Sequence, residues 1–154
     1  MIDSFTGKYA FLSNYAQLEC PVILGAIKFS TVEAAFQAAK TFDIEERRAL
    51  ASMKPGEAKR AGKKVALRPG WNAIKNNIML HFLRQKFHGN PELAQALLDT
   101  GQEDLVEGNT WGDQYWGVCQ GKGENWLGHL LMQVRAELAQ GDLPLDPPEA
   151  LLQG

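Results

Sequence analysis

From Trp71 to Phe87, apolar residues recur at steps of three and four: Trp71, Ile74, Ile78, Met79, Phe82, Leu83 and Phe87. That spacing predicts one long amphipathic helix. Pro69 opens it and Gly89-Asn90-Pro91 stops it. The same period returns near the other end as Leu127, Leu130, Leu131, Val134 and Leu138, with Asn125 as the cap and Gly141 as the stop. Four shorter helices are predicted as well. One opens at Ser30 or Thr31 and runs to about Thr41; IEERRALASM follows Asp43; PGEAKRA begins at Pro55 and ends at Gly62; PELAQALLDTG ends on Gly101.

The strand-like signals are short. KYAFLSNYA is aromatic and reads as strand, VILGAIKF (22–29) reads as a hairpin about Gly25, and residues 105–119 hold short strand segments at best. Strands do not alternate with helices, so a doubly wound sheet is not expected. The expected class is mainly α, an α-rich α+β fold with small β pieces. One compact domain is expected over 1–141, followed by a loose, proline-rich tail over 142–154.

Composition narrows this only modestly. The 154 residues suffice for one core, and 45% hydrophobic with 22% charged residues is ordinary for a soluble globular protein. With a net charge of -2, no broad electrostatic grip on nucleic acid is expected, and any such contact would be local. Two cysteines, Cys20 and Cys119, are too few for a disulfide framework, so reduced thiols in a cytoplasmic protein are expected. MIDSFTGKYAF does not read as a signal peptide, and no apolar run is long enough to span a bilayer.

Three stretches could carry chemistry. In STVEAAFQAAK (30–40), Ser30-x-x-Glu33 matches a capping box. Glu33, Gln37 and Lys40 share one helical face, with alanines and Phe36 between them. Read locally, Glu33 caps, Gln37 is solvated and Lys40 complements the helix dipole. A first-turn glutamate can also be held for catalysis. The second stretch is basic: Lys59, Arg60, Lys63, Lys64, Arg68 and Lys75, beside helix N-termini near Pro55 and Pro69 that could hold phosphate. There is no Walker-A loop and no GxGxxG after a strand. The third is GDQYWG (112–117), where Asp113 sits among glycines, and Tyr115 and Trp116 could stack on a planar ring. His81, His88 and His129 are scattered and not spaced as ligands, so neither a metal nor another cofactor is expected; His81 and His129 are expected at a boundary or the surface.

FLSNYA (11–16), STVEAAFQAAK, Ala61-Gly62, LRPGW (67–71), Lys75, Met79, LRQKF (83–87), LLDTG (97–101), LVE (105–107), DQYWG (113–117) and GKGENWLGHLLMQVR (121–135) occur in this order. In these pieces the chain resembles the NADAR (NAD and ADP-ribose) superfamily, the YbiA-like N-glycosidases. The resemblance covers nearly everything except the tail. It implies a mostly helical hydrolase that cleaves the N-glycosidic bond between a ribose, as phosphate or ADP-ribose, and a nucleobase-type nitrogen. Substrates implied are riboflavin-pathway ribosylamino-pyrimidines or ADP-ribosylated guanine, including guanine in DNA. It implies Glu33, Trp71, Lys75 and Asp113 as functional residues, with Asn14, Lys40, Arg68 and Trp116 nearby by motif. Taken with the chemistry of the bond, Glu33, Asp113, Lys75 and Lys40 are the catalytic candidates, either lysine serving as proton donor, phosphate holder or Schiff-base nucleophile, and Asn14, Gln37, Lys63, Arg68, Trp71, Trp116 and Gly117 are the substrate-binding ones. Lys63 departs from the family, which usually has arginine there; lysine lacks the planar fork that grips phosphate. A monomer is expected. The competing reading is a non-catalytic ADP-ribose or nucleotide-binding module, which needs the tryptophans and basic residues but not the acids.

Overall fold

The structure is a computed structural model and describes residues 1–152. The chain divides into two compact units, each built from two segments: Asn14–Asn90 with the segment from Pro144 onward, and Met1–Ser13 with Pro91–Leu143.

In the first of these, β1 (Val22–Leu24) and β2 (Ile27–Phe29) pair antiparallel, Val22 opposite Phe29 and Leu24 opposite Ile27. Gly25 turns between them at a φ of 62°, where a Cβ would be strained. Helix α1 (Val32–Ala39) is buried along its whole length. Alanine is the strongest helix former, and Ala34, Ala35, Ala38 and Ala39 let neighbouring backbones come close. The predicted capping box is not formed. Thr31, one residue later than Ser30, is the N-cap, and its hydroxyl accepts from Ala34 N at 3.2 Å. Ser30 gives its carbonyl to Leu18 N instead. Glu33 is therefore the second residue of α1, one short of the third position that the acid of a capping box takes, and its own amide donates to Asn14 O at 3.1 Å.

Helix α2 (Ile44–Ala51) is capped as predicted by Asp43, which accepts from Glu45 N and Glu46 N. Helix α3 spans Pro55–Gly62. Helix α4 (Trp71–Gly89) starts two residues later than Pro69 suggests, because Gly70 takes a left-handed conformation and ends the preceding turn. Its predicted stripe is buried, apart from the half-buried Ile74. Met79, Phe82, Leu83 and Phe87 are almost fully enclosed, each contributing about 1.5–3 kcal/mol. His81, expected near the surface, is buried on the same helix. Late in the chain Glu149–Leu152 forms one helical turn, and Ala150 O accepts from Arg68.

The other unit contains α5 (Pro91–Asp99), a parallel pair of β3 (Gly108–Asn109) and β4 (Val118–Cys119), and α6 (Trp126–Ala139). Two expectations are corrected here. GKYAFL (7–12) is a 3₁₀ helix, not a strand; its turns close locally, Tyr9 N on Thr6 O and Ser13 N on Ala10 O. Asn125 stands at the N-cap of α6 without capping it. Its amide spans the 105–107 loop, accepting from Glu107 N and donating to Leu105 O, both at 2.9 Å.

No helix among the described residues is long and apolar enough to cross a membrane.

Candidate active site

One turn of α1 carries Glu33 and Gln37 on the same face. Glu33 is 8% exposed and Gln37 5%, so the locally expected solvated glutamine is instead buried. Gln37 Nε2 donates to Glu33 Oε1 at 2.9 Å. Because a carboxylate only accepts, this bond fixes which way the amide points. Gln37 Oε1 faces the other way and has no hydrogen-bond partner among the described residues.

Lys40 closes the same helix as its C-cap. Its ammonium is half-buried, 6.0 Å from the centre of the Phe36 ring. Burial lowers its proton affinity below the usual lysine range. The field of Glu33 opposes that change, and the nearby charges of Lys75 and Lys63 reinforce it. Glu33 of α1, Lys63 at the end of α3 and Lys75 of α4 thus all act on the Lys40 ammonium. Lys75 Nζ also bonds Asn72 Oδ1 at 3.3 Å, one turn earlier on α4. Lys63 is exposed, as the C-cap of α3.

Trp71 is the first residue of α4 and is 6% exposed. Its ring lies 5.2 Å from that of Phe36, tilted by 55°. Asn14 presents its backbone to α1 and its side chain to α4, with Nδ2 donating to Met79 Sδ at 3.5 Å. Its Oδ1 is buried and has no partner among the described residues.

Arg68 lies in the same unit, braced by its own chain through its backbone and terminal nitrogens, while its buried Nε has no hydrogen-bond partner among the described residues. Its backbone amide donates to Lys40 O. Nη1 donates to Ala39 O and Nη2 to Ala150 O, and the guanidinium lies 4.2 Å over Phe42.

Asp113, Trp116 and Gly117 belong to the other unit. Asp113 Oδ1 accepts from Tyr115 N and Trp116 N, and Asn109 brackets it, donating to Asp113 O and accepting from Asp113 N. Asp113 thereby orders the GDQYWG loop and leads Trp116 into a T-shaped contact with Tyr115. The close approach that Gly117 permits is to its own chain, because a Cβ there would meet Glu107 Oε2 at 1.9 Å and Glu107 O at 2.1 Å.

In the sequence Phe36 reads as packing between polar residues and Gly62 as a helix stop, both within pieces that carry the family resemblance. A short acid-to-amide spacing on an alanine-rich helix signals close helix packing, but not which residue faces the amide.

Residues 4–139 match the model of the NADAR domain. N-glycosidase YbiA of Escherichia coli (strain K12) is 37% identical over 140 residues, covering 88% of this chain and 86% of that protein. An N-glycosidase of Nostoc punctiforme is 35% identical over 117 residues, covering 71% and 74%. A riboflavin biosynthesis protein of Vibrio vulnificus is 31% identical over 136 residues, covering 86% of this chain and 36% of that protein. The NMR structure of E. coli YbiA superposes with a TM-score of 0.77 at 36% identity, covering 92% of this chain and 88% of that one. Fold and relatives place the chain among enzymes of the N-glycosidase class. The chain belongs to the NADAR domain family.

Proposed function

We propose that this enzyme hydrolyses the N-glycosidic bond between the C1 of a phosphorylated ribose and a nucleobase-type nitrogen. Two substrate classes fit: ribosylamino-pyrimidines of the riboflavin pathway, and guanine carrying ADP-ribose. The observation that carries the reading is the buried Glu33 carboxylate, oriented by Gln37 and set in the field of Lys40, whose proton affinity is lowered.

Breaking C1–N leaves positive charge on the sugar and sends the bonding pair to the leaving nitrogen. Glu33 stabilises the oxocarbenium-like centre and takes a proton from the water that adds to C1. Lys40 gives a proton to the departing nitrogen, a task suited to an amine whose affinity burial has weakened. Lys63 and Lys75 attract the phosphate. Asn14 Oδ1, a buried acceptor in need of a donor, suits a ribose hydroxyl. Trp71, paired with Phe36, walls the base side.

The test is to incubate the protein with a ribosylamino-pyrimidine 5′-phosphate and, separately, with a DNA oligonucleotide carrying ADP-ribosylated guanine. Products are identified by mass spectrometry. Release of base and sugar from one of them, lost in Glu33→Gln, supports the reading. Saturable binding of ADP-ribose with no product from either substrate would make the protein a binding module instead.

A further inference from the structure

Gly62 ends α3 in ordinary helical backbone, so no left-handed φ calls for glycine there. Space does. A Cβ at position 62 would stand 1.9 Å from Gln37 Oε1, 2.6 Å from its Cδ and 3.0 Å from its Cβ. The whole outer side chain of Gln37 lies along the face that Gly62 leaves open. Turning the terminal amide alone does not make room, because the glutamine Cβ is itself within the tight range. Gln37 is held in that slot from the other side by its bond to Glu33 Oε1 at 2.9 Å. The orphaned Oε1 therefore occupies space that only a residue without a side chain leaves open.

We infer that Gly62 is a positioning residue for Glu33: its bare Cα fixes Gln37, and Gln37 fixes the carboxylate. The consequence for catalysis rests on the glycosidase reading above. The geometric chain from Gly62 to Glu33 does not.

Two variants test it. Gly62→Ala fills the slot while keeping a helix-compatible backbone. Gln37→Leu keeps approximate shape and removes the donor, leaving Gly62 in place. The side-chain NH₂ resonances of Gln37 are followed by ¹H–¹⁵N NMR without substrate. In the wild type they are expected to resist hydrogen exchange; in Gly62→Ala they are expected to shift and lose that protection. Unchanged resonances in a folded Gly62→Ala would overturn the inference, whatever the enzyme's substrate.

With a cleavable substrate, each single variant should lower kcat at least about tenfold with KM little altered, the scale of a hydrogen bond to a charged group. The double variant should cost no more than either single one, since both break the same link. Costs that multiply would show two independent effects and refute the chain. Should Gly62→Ala not fold, Gln37→Leu alone decides: a normal kcat there sinks the idea, and a lost kcat with retained melting temperature supports it. Absence of turnover by the wild type on both substrates would count against the glycosidase reading, and the NMR result would still stand.

Discussion

Gln37 donates to Glu33 Oε1 from one turn further along α1, at 2.9 Å, with both side chains almost wholly removed from water. A buried carboxylate held by an amide is oriented rather than merely tolerated. Replacing Glu33 by Gln keeps size and leaves Thr31 to cap the helix. Glu33→Gln is therefore expected to melt near the wild-type temperature and to lose at least about 10²-fold in turnover. Thermal unfolding and product release measured on the same preparation check it; near-wild-type turnover would remove Glu33 from the mechanism.

The two tryptophans should separate in their effects. Trp71 is buried against Phe36 at the start of α4, so Trp71→Ala is expected to cost about 3–5 kcal/mol of stability. Trp116 is half-buried in the GDQYWG loop, and Trp116→Ala should cost less, on the order of 1–2 kcal/mol. Urea titration measures both. Equal losses would mean that the loop tryptophan is core.

Arg68→Ala should act on stability first. Its guanidinium bonds Ala39 O and Ala150 O and covers Phe42, so removal orphans two carbonyls. A loss of about 1–3 kcal/mol is expected. KM should change by a similar factor for a phosphorylated substrate and for its dephosphorylated analogue. A selective rise for the phosphorylated one would instead give Arg68 a direct part in holding phosphate.

Lys63 is the better place to look for phosphate selectivity, being exposed and within the field of Lys40. Lys63→Ala should raise KM for a phosphorylated substrate roughly two- to fivefold, the worth of one exposed charge contact. The effect should shrink as salt is added. Lys63→Arg should lower KM, because a planar fork grips phosphate with two bonds. Steady-state kinetics across ionic strength settle this.

Acid should weaken the fold through His81. Gln85 Nε2 donates to Ile23 O at 3.0 Å and lies 2.9 Å from His81 Nε2, so the ring accepts there and carries its proton on Nδ1. Burial, with help from Arg84, holds the His81 pKa below its ordinary value of 6.5. The unfolded chain thus binds a proton at higher pH than the folded one. Stability from this group is intact above about pH 6.5 and declines as pH falls through the folded value. Denaturation midpoints at pH 5 and pH 7.5 should differ less in His81→Leu than in the wild type. An unchanged difference would assign the acid sensitivity to other groups.

Period and punctuation determined much of this protein without any tertiary information. The stripe from Trp71 to Phe87, Asp43 before IEERR, Pro55 at the head of α3 and Gly25 within VILGAIKF each specify a local conformation through their own sterics or hydrogen bonds, and each appears in the structure. The alignment of Glu33, Gln37 and Lys40 on one helical face was legible for the same reason. The rest depended on residues distant in the chain. Thr31 rather than Ser30 caps α1 because Leu18 claims the Ser30 carbonyl. Asn125 leaves its cap unfilled because the 105–107 loop takes both ends of its amide. Arg68 braces the chain because Ala39 and Ala150, far from it in sequence, offer it carbonyls. Gly62 reads in sequence as a helix stop, and only the approach of α3 to α1 makes its missing side chain a condition for where Glu33 points. A hydrogen bond or a steric slot belongs to a pair, and one-dimensional pattern names only one member of it.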